Sequence, residues 1–128
     1  MLIKVLFWIN ISLFILHEMD AVKTREWKMM IFMNRLSDDS GHIIFTALHF
    51  PLFILIFFLM KYYFEYLVPV VAALFILHQI LHIIFRKHTE NRMNNTFSRV
   101  IILMMFLNSC VTLLLYFDFL KNHIFYFL

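Results

Sequence analysis

His78 and His82 stand four residues apart in a largely apolar run, so on a helix both rings leave one face a turn apart. This is an HxxxH pair, suited to holding a single metal ion. Three further histidines, His17, His42 and His49, also fall inside or at the edge of long apolar stretches. His42 and His49 are seven apart and share a helix face, and Asn10, His17 and Asp20 form another stripe at i, i+7 and i+10. Glu18 is rotated about 100° from His17 on the same helix. Ionisable groups are costly in hydrocarbon unless paired or solvated, which makes an intramembrane cluster of them a functional-site hypothesis by default. Imidazole with carboxylate suits zinc, iron or manganese. The expected ligands are His17, His49, His78 and His82, with Glu18 as general base or further ligand and Asp20 orienting a histidine ring. Interhelical hydrogen bonding is the alternative for each histidine, and termination of a span at the water interface is the alternative for Glu18 and Asp20.

Elements able to bring these residues together follow from hydropathy. About 20 apolar residues cross about 30 Å of hydrocarbon as a helix, and four runs qualify, at residues 2–20, 42–60, 66–85 and 97–120. Ser37-Asp38-Asp39-Ser40-Gly41 and Asn94-Asn95-Thr96 supply N-cap chemistry before the second and fourth spans, and Lys61 to Glu65 is a tight turn. The expected fold is all-α, a four-transmembrane-helix bundle in one domain. The connection 21–40 reads either as a helix lying on the membrane surface, with Val22, Met29, Met33 and Leu36 on one side, or as a continuation of the first span. Trp27 and Ile31 break the surface-helix pattern.

Alternating span direction sets His17, Glu18, Asp20, His42, His49, His78 and His82 toward one end of the bundle. The connections at that end carry eight of the eleven lysines and arginines, which predicts that they are cytoplasmic and that both termini face outward. Trp8, Tyr62, Tyr63, Tyr66, Tyr116 and Tyr126 fit an interfacial belt at the opposite edge. Asn108 and Thr112, one turn apart in the fourth span, are expected to hydrogen-bond within the bundle.

Composition narrows the classes. In 128 residues, 63% are hydrophobic and 15% charged, with one glycine and one cysteine, and the mean hydropathy is +0.84. That is the composition of an integral membrane protein, with membrane lipids as its surroundings and a homo-oligomer compatible with its size. Cys110 alone makes neither a disulfide framework nor a CxxC motif. A net charge of +3 without a dense basic tract points away from nucleic acid. The HExxH motif of zincins is absent, since Glu18 is followed by Met19, Asp20 and Ala21.

The run His17-Glu18-Met19-Asp20-Ala21, followed by Glu26-Trp27, resembles the HE-x-D-A-x4-E-W signature of small, uncharacterised bacterial four-span proteins. The likeness continues through His49-Phe50-Pro51-Leu52-Phe53, His78-Gln79-Ile80-Leu81-His82, Arg86-Lys87-His88 and Ser98-Arg99. It implies the architecture, a bacterial inner-membrane location, and a role for His17, Glu18, Asp20, Glu26, His49, His78 and His82, without naming an activity.

Four functional classes fit these residues. The first is a metal-dependent membrane hydrolase or oxidoreductase acting on a lipid or other apolar substrate. The others are a proton or divalent-cation transporter subunit, a haem-binding electron carrier, and a noncatalytic membrane subunit.

Overall fold

The computed structural model describes residues 1–30 and 32–124, all-helical in their regular elements. Helix α1 covers Leu2–Thr24, α2 Asp38–Tyr62, α3 Phe64–Ile84 and α4 Thr96–Ile124. Short 3-10 turns cover Glu26–Met29 and Phe85–Lys87, the second prolonging α3. Ile31, Tyr126 and the His123 side chain lie outside the described residues.

The helix starts follow from local chemistry. Ser37 caps α2 by accepting from the Ser40 N–H at 3.1 Å, with Asp38 and Asp39 in the first turn where the helix dipole favours negative charge. Asn95 caps α4 by accepting from the Ser98 N–H at 2.9 Å. Tyr63 alone separates α2 from α3, so these two helices are held antiparallel.

All four helices are long and apolar enough to cross a membrane. The most apolar of them, α2, has only 6% of its apolar stretch buried, a surface compatible with hydrocarbon surroundings. The principal core joins α1, α3 and α4 through Phe7, Ile11, Val68, Val71, Phe75, Ile101 and Met105. Helix α2 buries only Gly41 and Phe45 and rests against the side of that three-helix core.

The connection between α1 and α2 takes a third course, neither a long surface helix nor a simple extension. Helix α1 runs four residues past Asp20, then stops at Arg25, which adopts left-handed backbone (φ 61, ψ 47) and turns its N–H back onto the Ala21 carbonyl. That conformation costs a non-glycine residue about 1 kcal/mol. It sends the next residues back under the bundle, where Trp27, 2% exposed, packs against Phe45 at 5.4 Å between ring centroids. Burial of this indole is the physical reason a surface helix does not form. Gly41, the chain's single glycine, makes the fit possible: a Cβ there would lie 2.3 Å from Trp27 Nε1. Arg25 and Lys28 grip Asp38 at the start of α2, Lys28 at 3.1 Å, and Lys28 also donates to the Leu36 carbonyl at 2.8 Å.

Candidate metal centre

Three histidines meet where α1 and α3 pack together. His78 Nε2 lies 2.7 Å from His17 Nε2 and 2.9 Å from His82 Nε2. The carboxylate of Glu26, delivered by the 3-10 turn, completes the group, with Oε2 3.5 Å from His17 Nε2 and Oε1 3.5 Å from His82 Nε2. One donor atom from each of the four residues lies within 4.8 Å of all the others. His17 is fully buried, and its Nδ1 has no hydrogen-bond partner.

Hydrogen bonding alone serves this arrangement poorly. A neutral imidazole nitrogen carries either one proton or one lone pair, so His78 Nε2 cannot pair fully with two neighbouring nitrogens at once. A cation resolves the conflict, because all three lone pairs can point at it. Four ligands held tetrahedrally at 2.0–2.1 Å from one ion stand about 3.3 Å apart. The observed contacts of 2.7, 2.9, 3.5 and 3.5 Å, the last two to different oxygens of Glu26, lie around that value, and the whole donor set falls within 4.8 Å. The donor set therefore suits a divalent metal.

Glu26 lies outside the spans in sequence yet is buried. Burial, with the Glu18 and Asp20 carboxylates beside it, pushes its carboxyl up to about 8. An anion is disfavoured in this position unless a positive charge faces it.

His49, expected among the ligands, sits in a separate pair. Its Nε2 is 2.6 Å from Glu18 Oε2, while its Nδ1 is 2.7 Å from the Phe45 carbonyl. A carbonyl only accepts, so Nδ1 carries a proton and donates it. The short Nε2 contact then requires a second proton, held either as imidazolium against carboxylate or as a carboxylic acid donating to imidazole. Glu18, His49, Glu26 and His78 line one cavity of about 290 Å³, which places this pair beside the three-histidine group.

Asp20 accepts a short hydrogen bond from Ser98 Oγ, and Ser98 Oγ accepts from Asn95 Nδ2 at 2.7 Å. Its role in the fold is to tie the end of α1 to the capped start of α4, and the bond it makes is to a hydroxyl, not to a histidine. His42 is exposed, with its ring 6.1 Å from Trp27. His88 is partly buried in the third connection, where its Nδ1 accepts from the Glu90 N–H at 3.2 Å. Asn108 donates to the Leu6 carbonyl at 2.8 Å, and Thr112 donates to the Asn108 carbonyl at 2.7 Å, both within the bundle.

Of the expected ligands, the fold thus brings His17, His78 and His82 together, directs His49 to Glu18, and adds Glu26. Spacing could not reveal Glu26, because its approach depends on the reversal at Arg25. The one sequence signal for it is its place in the E-W part of the resemblance.

No curated protein and no solved structure matches this chain. A family model matches residues 3–119, which reaches into all four helices and takes in every residue of the site, and the chain therefore belongs to the family of unknown function DUF6713.

Proposed function

We propose that His17, His78, His82 and Glu26 hold one divalent metal ion, and that the protein is a metal-dependent membrane enzyme acting on a lipid or other apolar substrate. The observation that carries this reading is the convergence of three imidazole Nε2 atoms and a buried carboxylate on one point. Three nitrogen donors and one oxygen donor suit zinc, with iron and manganese as alternatives. Were an ion so held to take a water or substrate oxygen as a further ligand, it would supply Lewis-acid activation.

The remaining work falls to the chain. Hydrolysis is the reaction class these side chains serve directly. Glu18 keeps a carboxylate oxygen outside its contact with His49, and that oxygen takes a proton from the attacking water as general base. The proton shared between Glu18 and His49 is the one available to the leaving group. Asp20, through Ser98, ties the end of α1 to the start of α4. The excess of lysine and arginine in the two connections at this end supports a cytoplasmic-side site in the inner membrane, with both termini outside.

Elemental analysis of tag-free protein, purified in mild detergent without chelator, tests the reading. About one zinc, iron or manganese per chain is expected, lost in the His78→Ala/His82→Ala double variant. Full metal content in that variant would sink the ligand assignment.

A further inference from the structure

Beside the metal centre, α2 and α3 diverge and leave a cleft of about 380 Å³. It runs from Leu59 and Leu67 at the far end to Leu52 and His78 at the site, with Phe14 of α1 as its floor. His78 is its single polar lining residue. Its walls are open sideways: Leu55 and Leu74 are each more than half exposed. Leu52 and His78 also line the cavity that holds Glu18, Glu26 and His49, so the apolar and polar spaces are continuous.

We propose that this cleft holds one acyl chain of a membrane lipid, with the polar end of that chain in the cavity at His78. The proposal rests on the enzyme reading above and gives it a substrate class, an acyl lipid whose carbonyl end meets the His/Glu group. Two observations select this occupant. The cleft lies in a stretch that crosses the bilayer, where the medium is hydrocarbon, and its walls are hydrocarbon except at one end. From Leu67 to His78 the helical rise is about 16 Å, close to the depth of one leaflet, which is half of about 30 Å.

Photolabelling tests this with the full-length protein in phosphatidylglycerol vesicles containing a trace of phosphatidylglycerol with a diazirine partway along one chain. Label is expected to concentrate on residues 52–59 and 70–78, and Leu74→Trp, which fills the cleft, should abolish that preference. Leu55→Trp provides a second variant from the opposite wall. Equal labelling of the outward faces of α4, at Leu103 and Leu114, or labelling insensitive to both tryptophans, would overturn the proposal. So would a disulfide-linked dimer through Leu55→Cys in a Cys110→Ser background, since it would put a second copy over the cleft. Metal content measured on the same samples separates the two readings. Label in the cleft without any metal sinks the enzyme and keeps the acyl site, whereas metal without label does the reverse.

Discussion

Two sets of buried or half-buried polar residues lie along this bundle, and they are satisfied in different ways. Farther from the site, Asn10, Asn108, Ser109 and Thr112 are amides and hydroxyls on α1 and α4. Asn108 and Thr112 find backbone carbonyls, one across the helix pair and one on their own helix. Asn10 Oδ1 and Ser109 Oγ are buried without a partner, a tolerable cost for neutral groups. At the site end the groups are imidazoles and carboxylates, and among the described residues there only His49 has a ring nitrogen on a backbone carbonyl. His17, His78 and His82 face one another. The lesson is that neutral polar groups can serve as helix-to-helix ties, while converging ionisable groups in the same bundle need a proton or a cation to be stable.

Gly41→Leu strikes the comparison hardest. The new side chain meets Trp27 at once, and overpacking of this kind costs about 1–3 kcal/mol. Displacing Trp27 also moves its neighbour Glu26, so bound metal should fall sharply along with the thermal midpoint. If elemental analysis found metal unchanged in a folded Gly41→Leu protein, Glu26 would not be a ligand.

Ser98→Ala should separate stability from metal binding at the same end. It leaves the Asp20 carboxylate buried without its hydroxyl donor, a loss of about 1–3 kcal/mol. Thermal unfolding should shift downward while metal stoichiometry holds. A parallel loss of metal would mean that Asp20 acts on the centre itself.

The smallest effect belongs to the neutral set. Ser109→Ala deletes a buried hydroxyl that has no partner, so stability should change by less than about 1 kcal/mol, in either direction, with metal content untouched. A large destabilisation would show that this hydroxyl does structural work comparable to the site's, and would erase the distinction between the two regions.

Much of the architecture is legible in the chain itself. Four apolar runs of bilayer length, the capping residues at Ser37 and Asn95, and the break at Tyr63 are local features, and the helices begin and end close to them. The HxxxH geometry of His78 and His82 is equally local, because four residues on a helix return nearly to the same face. The partition of the remaining histidines is different. His17 and His49 each recur at helical spacing with polar neighbours, and nothing along their own helices says which will turn toward His78 and which toward Glu18. That depends on how far each helix rotates about its axis when the core of Phe7, Val71, Phe75 and Met105 closes.

By itself, then, the sequence determined the number of span-length apolar helices and the presence of imidazoles and carboxylates at one end, since hydropathy and helical periodicity act between near neighbours. Tertiary structure alone decided that Glu26 joins His17, His78 and His82 while His49 pairs with Glu18. The reason is that these contacts join residues 9 to 56 positions apart, and Glu26 reaches the histidines through a left-handed turn at Arg25 and the seating of Trp27 on Gly41, which fold the connection back against the bundle.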